Sequence, residues 1–110
     1  MTTLLPRNET EWQKVVTKAA VDLGWEWLHI GRVGKHRANG AKGTLGIGWP
    51  DLFLCRPGRM LFVELKADDA PDLTLAQKLV MAALSNAGAE VYVWRPSDFA
   101  QAMHILSGGA

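Results

Sequence analysis

The chain has 110 residues, a formal net charge of +1, 48% apolar and 21% charged residues. That is enough for one compact domain with its own core, and it excludes a disordered chain. A single cysteine, Cys55, excludes an intrachain disulfide and a Cys₂His₂-type zinc site, and fits a reducing, cytoplasmic setting.

The opening, Met1 to Arg7, has no basic leader before a long apolar run, so no signal peptide is expected. No stretch has the length of a membrane span, so no membrane partner is expected. The expectation is one domain over residues 1–110, with flexible ends at 1–7 and 107–110. The first helix follows Asn8, a natural N-cap with Glu11 three residues on. Trp12, Val15, Val16, Ala19, Ala20 and Leu23 form its apolar stripe, and Gly24 ends it. Trp25 to Ile30 reads as the first strand.

Residues 31–48 hold six glycines and read as a long loop. No Asp or Glu occurs between Glu26 and Asp51, whereas Arg32, Lys35, Arg37, Lys42, His29 and His36 do. Taken alone, such a run is a solvated basic loop. Next to the acidic motif that follows, it becomes a candidate grip on a phosphate backbone. Asp51 to Cys55 and Met60 to Lys66 read as two strands joined by the turn Arg56-Pro57-Gly58-Arg59. After a polar break, Thr74 caps a helix to about Ala87, and Gly88 ends it. Val91 to Trp94 reads as a short buried strand. Pro96-Ser97 opens a last helix with Phe99, Met103 and Leu106 on one side, and Ser107 to Ala110 as a frayed tail. The order is α-β-β-β-α-β-α.

The sharpest feature is Leu61-Phe62-Val63-Glu64-Leu65-Lys66. Residues two apart in a strand share a face, so Glu64 and Lys66 sit side by side with Phe62. Leu61, Val63 and Leu65 point the other way, into the core. Alone this is equally an edge strand with one wet face. The hairpin, however, brings Asp51 close to Glu64. Two converging carboxylates are costly unless a cation lies between them. Mg²⁺ or Mn²⁺, hard ions with oxygen ligands, are the natural candidates. Such an ion, with Lys66 orienting water or stabilising charge, provides what phosphodiester cleavage requires.

Two further residues have double readings. Glu9 is three residues before Trp12, on the apolar side of the first helix. It is either a third carboxylate of the metal site or a favourable charge at a helix N-terminus. Gln77 completes the capping box Thr74-Leu75-Ala76-Gln77, or its amide reaches the phosphate or metal-bound water. Trp12, Trp25, Trp27 and Trp94 fit core or boundary positions. Trp49, beside Pro50-Asp51, is the tryptophan to consider for stacking on a base, although packing under the loop is the plainer reading. His29 and His36 lack metal-ligand spacing.

Gly48-Trp49-Pro50-Asp51, Val63-Glu64-Leu65-Lys66 and Leu73-Thr74-Leu75-Ala76-Gln77 together resemble the VRR-NUC family, a branch of the PD-(D/E)XK nuclease superfamily. The close, Gly88 to Asp98, and the opening, Asn8 to Gln13, are also similar to that family. The resemblance runs from about Glu9 to Leu106. It implies a restriction-endonuclease-like mixed sheet flanked by helices, with Asp51, Glu64 and Lys66 at catalytic positions and Glu9 and Gln77 at accessory ones. Stand-alone members of this size are similar to phage and prophage proteins and tend to be homodimers like Holliday-junction resolvases. The expectation is a DNA endonuclease dependent on Mg²⁺ or Mn²⁺. Arg32, Lys35, His36, Arg37, Lys42 and Trp49 would contact duplex or branched DNA with little sequence choice. The alternatives are a nucleic-acid-binding module without turnover and a phage accessory interaction protein. The acidic residues Asp68, Asp69 and Asp72 depart from a DNA-facing surface and are expected to point away from it.

Overall fold

The computed structural model describes residue 6, residues 8–30 and residues 47–110. Helix α1 spans Glu9–Asp22, with Asn8 Oδ1 accepting from Glu11 N at 2.9 Å. That bond satisfies one of the donors a helix start leaves open. Trp12, Val16 and Ala20 are fully buried and Val15 and Ala19 pack beside them, so the predicted stripe is the buried face. Leu23, at the C-cap, stays 38% exposed. Gly24 turns the chain with a φ of 89°, which a Cβ would disfavour.

Strand β1 is Glu26–His29, β2 Leu52–Arg56 and β3 Arg59–Leu65. These three are antiparallel neighbours. The β2–β3 turn puts Pro57 and Gly58 at the tip, with Gly58 at φ 82°, the pairing a two-residue turn of this kind demands. Helix α2, Leu75–Asn86, then carries the chain to β4, Glu90–Trp94, which pairs parallel to β3. A parallel neighbour needs such a crossover. A 3₁₀ turn at Pro96–Asp98 leads into α3, Phe99–Leu106. The result is a mixed α/β architecture with a four-stranded sheet in the order β1-β2-β3-β4. No helix among the described residues is long and apolar enough to cross a membrane.

The core lies on one face of the sheet. Leu52, Leu54, Leu61, Val63, Leu65 and Trp94 meet Trp12, Val16 and Ala20 of α1 and Ala102, Ile105 and Leu106 of α3. Burying a leucine or valine side chain stabilises by roughly 1.5–3 kcal/mol, so this layer accounts for most of the drive to fold. Two buried indoles also lock distant segments: Trp12 Nε1 donates to Trp94 O and Trp25 Nε1 to Leu106 O, both at 2.9 Å. Helix α2 begins on the opposite face and has no fully buried residue.

Three expectations change. β4 is not a buried strand: it is an edge, and only Trp94 is fully buried. In α3 Leu106 is buried as expected and Met103 packs against the core, but the face turned to the sheet is centred on Ala102, Ile105 and Leu106, so Phe99 at the helix start is left 49% exposed. Ser107–Ala110 is tied down rather than frayed. Gly109 N donates to His104 O at 2.9 Å, and Gly109 O accepts from Arg59 Nη1 at 2.7 Å.

Candidate active site

The hairpin geometry places the acidic residues together. Leu52 pairs with Val63, so continuing the register by one residue sets Asp51 opposite Glu64. Side chain and backbone then interlock. Asp51 Oδ2 accepts from Leu65 N at 2.8 Å, and Glu64 Oε1 accepts from Asp51 N at 3.2 Å. Each carboxylate is thus oriented by the other's strand, on the face opposite Leu61, Val63 and Leu65.

That face is not simply wet. Glu64 is 4% and Lys66 9% exposed, against the edge-strand reading in which both solvate. Burial first, and then the charge of Asp51, push the Glu64 carboxyl up to about 8; the Lys66 ammonium pulls the other way. The causes are those expected when two carboxylates share a site with poor access to water. Among the described residues no ion pair within 4.0 Å joins Lys66 to Asp51 or Glu64. The ammonium therefore offsets part of the negative charge without being consumed by a direct contact.

Gln77 closes the capping box and, with the other end of the same amide, reaches Glu64. Its Oε1 accepts from Thr74 N at 2.9 Å, and Thr74 Oγ1 accepts from Gln77 N at 3.2 Å, which closes the capping box. The other end of the amide, Nε2, donates to Glu64 Oε2 at 2.9 Å. The cap fixes the helix start, and the same amide holds the second oxygen of Glu64.

The remaining expected residues are distributed as follows. Glu9 lies exposed in the first turn of α1. Among the described residues no three Asp, Glu, His or Cys side chains are placed to hold a metal, so Glu9 does not join the Asp51–Glu64 pair here. Its place at the helix N-terminus fits the electrostatic reading. Trp49 is 40% exposed and its ring meets Phe62 edge-on at 6.4 Å; the loop it was expected to pack under lies outside the described residues. Phe62 in turn contacts Phe53 at 5.1 Å, so a row of aromatics runs from the carboxylates across the sheet face. Gly48 seats this corner: its φ is 80°, and a Cβ there would come within 2.6 Å of Ala76 O. Arg32, Lys35, His36, Arg37 and Lys42 lie outside the described residues.

The acidic stretch after Lys66 has structural duties. Asp68 Oδ1 accepts from Ser97 N at 3.0 Å, and Asp72 pairs with Lys78 at 3.2 Å. Sequence reasoning gave no role to Arg95, whose guanidinium meets three carbonyls of this stretch. The signal lay in Arg95-Pro96-Ser97-Asp98 directly after a strand, but its target is 24 to 28 residues away in sequence. No family model matches this chain, and no curated protein or solved structure matches it either.

Proposed function

We propose that this chain is a divalent-metal-dependent DNA endonuclease. The observation that carries the reading is the pair of interlocked carboxylates, Asp51 and Glu64, set in a half-closed polar patch with Lys66 and Gln77. The donor set suits Mg²⁺ or Mn²⁺. Mg²⁺ is commonly held through one or two carboxylates, its other positions filled by water and substrate phosphate. A third protein carboxylate such as Glu9 is therefore not required. The bound ion would supply Lewis acidity and a more acidic water.

The residues' own tasks follow from their contacts. Leu65 N fixes Asp51, and Asp51 N with Gln77 Nε2 fixes both oxygens of Glu64. Oxygens oriented in advance cost little reorganisation when an ion binds. Lys66, beside them on the face and without a carboxylate contact, is the group to orient the attacking water or meet charge developing on the phosphate. Trp49 and the basic segment with Arg32, Lys35, His36, Arg37 and Lys42 would contact the DNA, chiefly through phosphates, which favours structure over sequence. In this reading the fold is a restriction-endonuclease-like variant of the VRR-NUC type, acting in the cytoplasm, or the host cytoplasm for a phage-encoded copy. One site per chain suits a homodimer for cutting two strands, as in junction resolvases.

The test is a cleavage panel of duplex, nicked, flapped and four-way DNA with Mg²⁺ or Mn²⁺. Native protein cleaves at least one substrate, and Asp51→Ala and Lys66→Ala each lose roughly 100-fold or more. Intact DNA throughout, with binding retained, supports a non-catalytic nucleic-acid-binding module instead. Salt-insensitive failure to bind any nucleic acid supports a protein-interaction role.

A further inference from the structure

Arg95 follows β4 and makes no hydrogen bond or ion pair with Asp51, Glu64 or Lys66, yet its bonds converge on the segment that joins two of the site's residues. Nη1 donates to Ala67 O at 2.6 Å and to Ala70 O at 3.0 Å, and Nη2 donates to Pro71 O at 3.2 Å. This segment leads from Lys66, at the end of β3, to the start of α2, where Gln77 reaches Glu64. None of residues 67–72 is buried, so apolar packing does not hold the segment in place. Polar ties do. The backbone N–H of Lys66 donates to Trp94 O at 3.1 Å, the residue before Arg95. Asp98 Oδ2 accepts from Arg95 N at 2.9 Å, and Asp68 Oδ1 from Ser97 N at 3.0 Å.

We infer that Arg95 is a positioning residue: by gathering the carbonyls of Ala67, Ala70 and Pro71 it sets the start of α2, and so holds the Gln77 amide on Glu64. A guanidinium suits the task because its donors are fixed in a planar fork, whereas a lysine ammonium is a point donor on a flexible stem. Without it, three carbonyls lose their donor, and the connector keeps one turn bond, Ala70 N to Ala67 O at 3.1 Å, the Asp68 bond to Ser97 N, and the exposed Asp72 contacts with Leu73 N and Lys78. The consequence reaches the site through Gln77. Groups that orient a ligating carboxylate typically contribute 10- to 100-fold to metal affinity. This inference rests on the metal-site reading for its functional consequence, though not for the positioning itself.

A matched control lies at the other end of β3. Arg59 also uses its fork on a carboxylate and on distant carbonyls, bonding Glu90, Ile105 O and Gly109 O. The experiment compares native chain, Arg95→Gln, Arg95→Lys and Arg59→Gln by three measurements: thermal midpoint, Mn²⁺ affinity by calorimetry, and exchange of the Gln77 side-chain amide protons by NMR without metal. The expected result is that both Arg95 variants bind Mn²⁺ about 10- to 100-fold more weakly, Arg95→Lys less so, with faster Gln77 amide exchange. Arg59→Gln lowers the midpoint but leaves Mn²⁺ affinity and Gln77 exchange as in the native chain. The inference is overturned if Arg95→Gln keeps native Mn²⁺ affinity and Gln77 exchange, or if Arg59→Gln disturbs both equally. If the native chain takes up no Mn²⁺, the metal-site reading fails by itself. Gln77 exchange in Arg95→Lys, the milder change, still decides whether Arg95 positions that amide.

Discussion

Among the described residues, Glu64 is the group displaced furthest from its ordinary protonation range. Its burial and the neighbouring Asp51 charge hold its proton to about 8, with Lys66 opposing. Asp51→Asn separates the causes, because asparagine can still accept from Leu65 N while the charge is gone. The predicted outcome is a Glu64 midpoint that falls below 8 yet stays above the ordinary 4.5, since burial is the larger cause. Carboxyl-carbon NMR across pH 4 to 10 reads this; an unchanged midpoint contradicts it. At this scale much was legible in the sequence. Strand alternation set Glu64 and Lys66 on one face, and a short hairpin set Asp51 opposite. The closing of that face was not legible, because it depends on where the long-range fold brings Gln77 of α2 against Glu64 and the Gly48 corner against Ala76.

Helix α2 is held at its start by a cap that doubles as part of the site. Thr74 and Gln77 each close one half of the capping box, but only Gln77 also touches Glu64. The two roles therefore separate by mutation. Thr74→Ala is predicted to cost about 0.5–2 kcal/mol of stability with metal affinity largely kept. Gln77→Ala is predicted to cost a similar amount and also to weaken Mn²⁺ binding by roughly 10- to 100-fold. Urea unfolding and calorimetry on both variants check this, and equal loss of Mn²⁺ binding would show that the cap alone governs the site. The helices and strands themselves were legible from apolar periodicity, caps and the Pro57-Gly58 turn. Tertiary context decided the rest. β4 reads as a buried run because Val91, Tyr92, Val93 and Trp94 are all apolar or aromatic, but it ends the sheet. Phe99 shares a face with Met103 and Leu106 by periodicity, but the docking of α3 turns Ala102, Ile105 and Leu106 to the sheet and leaves Phe99 at the margin.

At the scale of the whole chain, the site is a local cost that a cation would relieve. The sign follows from the raised Glu64 midpoint. Below pH 4.5 both folded and unfolded states hold the proton, and no penalty exists. Between about 4.5 and 8 the unfolded state releases it first, so stability falls as pH rises, and above 8 the loss is complete. The metal-free protein is therefore predicted to melt at lower temperature at pH 8 than at pH 5. Added Mn²⁺ should raise the midpoint more at pH 8 than at pH 5, since the ion binds the deprotonated carboxylate. A metal-free midpoint that rises over this range, or a metal effect that shrinks with pH, would count against the account. The mixed α/β class was visible in the order of elements. The long glycine-rich segment gave no periodicity from which its course could be read, and its basic residues enter only through the proposal.

The most direct measurement is Mn²⁺ titration at pH 7 in buffers of different ionisation enthalpy, which counts the protons released on binding. With Glu64 held protonated to about 8, the native chain should bind one ion and release about one proton, and Asp51→Asn should bind far more weakly. Binding without proton release, or equal binding by Asp51→Asn, would contradict the claim that these two carboxylates form the metal site.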